Sequence, residues 1–126
     1  MTARTLLLWA PVVAYMAAIF AASQMASPPI PGGADKPWHT VGYLGLAVVV
    51  IRAVAGGLPR RISVRTMMTS MIIVVLYGVS DEVHQMFVPG RTAALDDVVA
   101  DTIGAVVGTG ACWAWGILSS TPRDEL

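Results

Sequence analysis

Four long apolar stretches constrain this chain more than any other feature of its sequence. They cover residues 5–23, 38–58, 66–87 and 92–118. A helix needs about 20 mainly apolar residues to cross the hydrocarbon layer of a bilayer, and each stretch approaches or meets that length. The sequence therefore predicts an all-α, polytopic membrane protein, with residues 1–126 forming one domain. Because the connecting segments are short, we expect a compact bundle of four antiparallel transmembrane helices.

The first stretch also has features of a signal peptide. Arg4 precedes an apolar run, and Ala-Ala-Ser precedes Gln24, in the order that a signal peptide uses. The run itself, residues 6–22, is longer than the usual apolar core of a signal peptide, which favours a membrane-spanning helix.

The distribution of positive charge predicts the orientation of the bundle. Lys36 and Arg91 fall on one side of the predicted membrane, and the opposite side holds Arg4, Arg60, Arg61, Arg65 and Arg123. Cytoplasmic loops carry the excess of lysine and arginine, so both termini should be cytoplasmic. The net charge is zero, so the strongly basic face of a nucleic-acid-binding protein is absent.

Nearly all other ionisable groups lie on the side that faces away from the cytoplasm. They are His39, His84, Asp35, Asp81, Glu82, Asp96, Asp97 and Asp101. These groups can transfer protons, bind a metal ion or pair with a cation. Three separate predicted helices contribute them to one membrane face, and this asymmetry indicates a functional site there.

Helical spacing groups several of these residues on the third predicted helix. Tyr77, Asp81 and His84 recur at i, i+4 and i+7, and Glu82 and Gln85 form a neighbouring i, i+3 stripe. In this arrangement Asp81 lies one turn before His84, close enough in spacing to orient the imidazole. We therefore expect His84 to be the first candidate for proton transfer.

The second and fourth predicted helices carry similar stripes. His39 and Tyr43 stand at i, i+4 near the start of the second helix. Asp101 lies about one turn into the fourth apolar stretch, where an ionisable group must face protein or water, and its partner could be Lys36, Arg91 or a histidine. The segment "GAVVG", residues 104–108, offers a small-residue surface for close helix packing.

Each of these features also has a purely structural interpretation. Acidic residues in the first turn of a helix interact favourably with its dipole, which would account for Asp96 and Asp97. Asp101 could belong to an internal ion pair, and His39 could donate one structural hydrogen bond. The single cysteine, Cys112, lies in an apolar stretch and is expected to pack as a small apolar residue.

Three segments of the sequence resemble the VanZ-like family of small bacterial membrane proteins. They read "DKPWHTVGY" at residues 35–43, "SDEVHQMFVPGR" at residues 80–91 and "DVVADTIGAVVG" at residues 97–108. They are similar to the family's D-K-x-x-H-x-x-x-Y, D-E-x-H-Q-x-F-x-P-G-R and D-x-x-x-N-x-x-G-x-x-x-G elements. The resemblance covers residues 23–108. Asp101 stands where the family usually has asparagine, and its added charge could change pairing or proton affinity there.

The resemblance implies a cell-envelope protein of the bacterial inner membrane, with its motif residues on the extracytoplasmic side. It also implies a possible link to glycopeptide resistance of the teicoplanin type. Our first hypothesis is an enzyme that hydrolyses, or transfers a group from, a lipid-linked or amphipathic envelope substrate. The candidate catalytic residues are His84, Asp81, Glu82, His39 and Asp97, and the candidate substrate-binding residues are Lys36, Arg91, Gln85, Tyr43 and Asp101.

Two other hypotheses remain open at this point. One is a non-catalytic protein that binds a lipid head group, a glycopeptide or an envelope partner. The other is a divalent-metal site built from His84, His39 and carboxylates, although "DEVH" lacks the H-E-x-x-H spacing of a zinc helix. The sequence names no cofactor and no specific metal.

Overall fold

The computed structural model describes residues 1–24, 35–59, 61–90 and 94–119, with the side chains of residues 35–37 and 119 outside that description. Four α-helices make up this part of the chain: α1 (Ala3–Ser23), α2 (Asp35–Ala55), α3 (Val64–Gln85) and α4 (Leu95–Ser119). All four are long and apolar enough to span a membrane. The predicted all-α, four-helix transmembrane protein is therefore confirmed.

Local sequence explains where the helices begin and end. Ser63 caps α3, because its side chain accepts a hydrogen bond from the Thr66 amide at 3.1 Å. Helix α2 ends at Ala55, before the expected end at residue 58, because Gly56 and Gly57 adopt positive φ angles of 77° and 124°. Helix α3 ends two residues earlier than expected, at Gln85 rather than residue 87.

Consecutive helices run antiparallel, as contacts at both ends of the bundle indicate. The Arg4 guanidinium, at the start of α1, donates to the carbonyl of Gly56, just after α2, at 2.6 Å. Ser23 and Asp81 join the last turns of α1 and α3 by a hydrogen bond. We call this second end, where α1 and α3 finish and α2 and α4 begin, the polar end. The opposite end, which holds Arg4 and Arg52, is the arginine end.

Helix α2 makes the most extensive contacts in the bundle and, like α3, packs against all three other helices. Its most extensive partner is α4, and among the described residues α1 makes no contact with α4. The apolar core lies between the helices and includes Leu46, Ala47, Val50, Val74 and Ala105, all fully buried. Helix α1 buries only Val12 and Ser23, and its exposed apolar side chains suit contact with lipid tails.

Candidate functional site

Most of the buried polar side chains of the described chain lie at the polar end. We define the polar cluster as the residues there that are buried or bonded to buried partners: Ser23, His39, Tyr43, Asp81, Glu82, Gln85, Asp97 and Asp101. Ionisable groups inside a membrane bundle are costly unless they are paired or functional. Such a concentration therefore needs either internal pairing or a bound partner.

His39 and Asp101 form a direct pair between the second turns of α2 and α4. The distance from His39 Nδ1 to Asp101 Oδ1 is 2.8 Å, and the two side chains are 16% and 1% exposed. An ionised carboxylate only accepts hydrogen bonds, so His39 donates from Nδ1 and keeps Nε2 for another partner. The predicted inward orientation of Asp101 is confirmed, and its partner is a histidine.

Close packing of α2 on α4 brings this pair together. A β-carbon at Gly104 would collide with the carbonyl oxygen of Thr40 and would lie 2.9 Å from the Leu44 amide nitrogen. One turn further on, a β-carbon at Gly108 would lie 2.8 Å from the Ala47 β-carbon. The predicted small-residue surface is thus an internal helix contact, and it lets the two backbones approach closely.

Asp81 links three helices at the polar end. Its Oδ1 accepts a hydrogen bond from the Ser23 hydroxyl of α1, and its Oδ2 accepts one from the Tyr43 hydroxyl of α2 at 3.1 Å. The Gln85 amide group donates to the same Ser23 oxygen at 3.4 Å. Asp81 therefore connects the ends of α1 and α3 to the first turns of α2.

Glu82 lies beside the His39–Asp101 pair. Its Oε2 accepts a hydrogen bond from the Ala94 amide at 3.2 Å, immediately before α4, and the residue is 6% exposed. Ligand atoms of His39, Glu82 and Asp101 all lie within 4.8 Å of one another. Helices α2, α3 and α4 thus each contribute one ionisable group to a single small volume.

Several buried polar atoms at this end have no hydrogen-bond partner among the described residues. They are Glu82 Oε1, His84 Nδ1, Gln85 Oε1 and Asp101 Oδ2. A buried polar atom without a partner costs about 1–3 kcal/mol. Native proteins rarely accept that cost repeatedly in one place, so these atoms are suited to bind water, an ion or a ligand.

The surroundings of His84 differ from the expectation. Asp81 bonds to Ser23 and Tyr43, and the Nδ1 atom of His84 has no hydrogen-bond partner among the described residues. The His84 ring instead stacks on Phe20 of α1, with ring centroids 4.5 Å apart and an angle of 13° between the planes. Helical spacing places Asp81 and His84 on one face of α3, but it does not determine which residues of the other helices each side chain contacts.

Two predicted substrate-binding residues, Lys36 and Arg91, lie outside the described side chains. Asp97 is buried one turn before Asp101 on α4, and Tyr43 and Gln85 belong to the polar cluster. Sequence reasoning missed Ser23 and Phe20, because α1 was assigned no site residue. The position of Ser23 and Phe20 in the chain could have indicated them, because the end of α1 lies at the same end of an antiparallel bundle as the end of α3.

Gly78 is a further residue that the sequence did not single out. A β-carbon there would lie 3.2 Å from the β-carbon and Oδ2 of Asp101 and 3.2 Å from a ring carbon of Tyr43. Because Gly78 has no side chain, the side chains of Asp101 and Tyr43 can both pack against α3 at this position.

Comparison with protein families shows a match over most of the chain. The VanZ/LLP1 family model matches residues 4–118, which is nearly the whole chain. No curated protein matches the chain, and no solved structure matches it. The match extends beyond the three motif segments and includes α1, the helix that contributes Ser23 and Phe20.

Proposed function

The chain belongs to the VanZ-like family, and from this premise we propose that it is an inner-membrane enzyme of the bacterial cell envelope. In this proposal both termini are cytoplasmic and the polar end faces the extracytoplasmic side. The substrate is a lipid-linked or amphipathic envelope molecule, which enters from the bilayer and presents its head group at the polar end. The reaction is hydrolysis or group transfer.

The observation that carries this proposal is the grouping of partly buried His39 with buried Glu82 and Asp101. A histidine held by a carboxylate has a fixed ring orientation and one nitrogen available for proton transfer. Beside it, Glu82 has one oxygen without a hydrogen-bond partner among the described residues. An imidazole and a second carboxylate within 4.8 Å of each other are a suitable acid and base for a reaction that moves two protons.

Hydrolysis of a pyrophosphate-linked lipid illustrates the chemistry. The oxygen of water bonds to the terminal phosphorus, the bridging P–O bond breaks, and the products are inorganic phosphate and the lipid monophosphate. Glu82 would accept the proton that water loses, and protonated His39 would donate one to the leaving oxygen. We assign the role of proton donor to His39 rather than to His84. His39 is bonded to the Asp101 carboxylate and lies beside the Glu82 carboxylate.

The remaining predicted residues would support this centre. Asp81, held by Ser23 and Tyr43, would fix the relative positions of α1, α2 and α3. Lys36 and Arg91 would bind the anionic head group, since lysine offers a point charge and arginine a planar fork. His84 would act as a second proton carrier at the α1 side of the site.

The test is turnover by the purified full chain in detergent micelles. Polyprenyl pyrophosphate, polyprenyl phosphate and phosphatidylglycerol would be supplied, and product release would be measured per folded molecule. We expect His39→Gln and Glu82→Gln to lose about 10²- to 10⁴-fold in rate, the usual contribution of acid–base catalysis. The control is Asp96→Asn, an exposed acid on α4, which should retain the wild-type rate. His84→Gln should lose less than His39→Gln.

A binding function is the alternative, and the unpartnered atoms of Gln85 and Asp101 are the observation that favours it. Wild-type protein that retains one of these lipids, or teicoplanin, at a fixed stoichiometry and converts none of them would support this alternative. Equal turnover by the wild type and Glu82→Gln would exclude the assigned acid–base role.

A further inference from the structure

We propose that His39, Glu82 and Asp101 bind a divalent transition-metal ion. This inference rests on the proposed function, because it assigns an ion to the same site. With the ion bound, His39 and Glu82 would be its ligands instead of the acid and base assigned above, and the ion would hold the anionic head group. The ligand set differs from the one considered from the sequence, since it takes Asp101 of α4 and leaves out His84.

The geometry of the three residues supports this set. Each offers a ligand atom, and the three atoms lie within 4.8 Å of one another. Neighbouring ligands of one ion are separated by about 3–3.5 Å when each is about 2.0–2.2 Å from the metal. Small side-chain rotations would therefore bring all three groups to bonding distance. Helices α2, α3 and α4 supply one ligand each, so the backbone of the bundle fixes the site.

The two carboxylates give an independent reason to expect a cation. Glu82 and Asp101 are 6% and 1% exposed, and each has one oxygen without a hydrogen-bond partner among the described residues. Buried carboxylates that remain ionised need a nearby positive charge. A divalent cation bound by these two oxygens would supply that charge.

The donor atoms indicate the class of ion. One imidazole nitrogen with two carboxylate oxygens suits Zn²⁺ or Mn²⁺ better than the all-oxygen shells of Ca²⁺ and Mg²⁺. Three protein ligands leave at least one coordination position open, as in catalytic rather than structural zinc sites. A phosphate or carboxylate oxygen of the substrate could take that position.

The Asp101–His39 contact fits this ligand set. The ion would take the place of the proton between His39 Nδ1 and the Asp101 carboxylate, so that both residues are ligands together with Glu82. Variants at Glu82 and Asp101 therefore test the site.

The experiment measures metal binding by the full chain, without any substrate. Protein purified in detergent and stripped with EDTA would be dialysed against Zn²⁺ or Mn²⁺, and bound metal would be measured by mass spectrometry. We expect about one ion per chain for the wild type and for the control Asp96→Asn. Glu82→Gln and Asp101→Asn should weaken binding by at least 10- to 100-fold, roughly the cost of disturbing a ligand's surroundings.

Thermal unfolding provides the second readout. The ion should raise the melting temperature of the wild type and of Asp96→Asn but not of the two ligand variants. Glu82→Gln can still accept the hydrogen bond from the Ala94 amide, and Asp101→Asn can still pair with His39, so both should fold. If one does not, the other carries the comparison.

Two results would overturn the inference. Stripped wild-type protein that takes up no ion above the detergent blank would exclude the site, and the carboxylates would then be neutralised by protons or by Lys36 and Arg91. Equal binding by all variants would mean adventitious metal only. The proposed function is tested separately. Turnover that EDTA leaves unchanged would contradict the metal site and support the enzyme, whereas specific ion binding without turnover would support the metal site and contradict the enzyme.

Discussion

The two ends of the bundle differ in whether their charged side chains are exposed or buried. At the arginine end, Arg4 and Arg52 donate to the backbone carbonyls of Gly56 and Leu7, at 2.6 and 3.4 Å, and these bonds are exposed. At the polar end, the acidic side chains of Asp81, Glu82 and Asp101 are buried, and their hydrogen bonds go to other side chains or, for Glu82, to the Ala94 amide. Charges that only set orientation can remain at the membrane surface. Charges buried at a cost, as at the polar end, indicate a function that requires them.

The largest difference between the two ends should be their accessibility from outside the cell. Cysteines introduced at Gly33 and Ser63, in a Cys112→Ala background, would be labelled on intact cells with a membrane-impermeant maleimide. Gly33 precedes α2 and lies outside the described residues, and Ser63 caps α3 at the arginine end. Because the arginine end should be cytoplasmic, we expect labelling at Gly33 and none at Ser63. The reverse pattern would place the polar cluster in the cytoplasm.

Stability should also depend unequally on the two ends. His39→Leu leaves the buried Asp101 without its histidine partner, which should lower the free energy of unfolding by about 3–5 kcal/mol. Arg52→Leu at the arginine end removes one long, exposed bond to a carbonyl and should cost less than about 1 kcal/mol. Unfolding in mixed micelles with increasing denaturing detergent would measure both. Similar losses for the two variants would contradict the comparison.

The double variant His39→Leu/Asp101→Leu sharpens this test. Removing both members of a buried pair leaves no unpaired charge, so the double variant should be more stable than His39→Leu alone. If the double variant is less stable than His39→Leu, Asp101 has a second partner that stabilises the fold more than His39 does.

The smallest expected difference between paired variants comes from two alanine substitutions on α4. Gly104→Ala puts a methyl group against the Thr40 carbonyl and should separate α2 from α4 near the His39–Asp101 pair, at a cost of about 1–3 kcal/mol. A β-carbon at Gly110 meets no atom within 4 Å, so Gly110→Ala should be neutral or stabilising by up to about 1 kcal/mol. Melting temperatures of the two variants would decide, and equal values would mean that α2 and α4 adjust freely.

Much of the architecture could be predicted from the sequence. Apolar stretches of sufficient length determine the helices, because unpaired backbone groups are not tolerated in lipid. The inward orientation of Asp101 and the close approach at Gly104 and Gly108 followed from depth and spacing on one helix. These predictions needed only the local geometry of a helix and the cost of an exposed charge in lipid.

The pairing of side chains between helices could not be predicted in the same way. Spacing on α3 suggested that Asp81 would orient His84, but Asp81 bonds to Ser23 and Tyr43. Which neighbour a side chain selects depends on the rotation and separation of helices that are distant in sequence. The grouping of Glu82 with His39 and Asp101 across three helices was hidden for the same reason.

The peripheral position of α1 has a consequence for how the protein is made. Helix α1 is the most apolar span and makes no contact with α4 among the described residues. It can therefore insert into lipid before the other three helices are in place. Helix α4 carries Asp101 about one turn into its apolar stretch, and an ionisable group there must face protein or water rather than lipid. Entry of α4 should therefore depend on α2 being in place to supply His39. Translation supplies α2 before α4, so a copy in which α2 cannot offer His39 should insert α4 less readily.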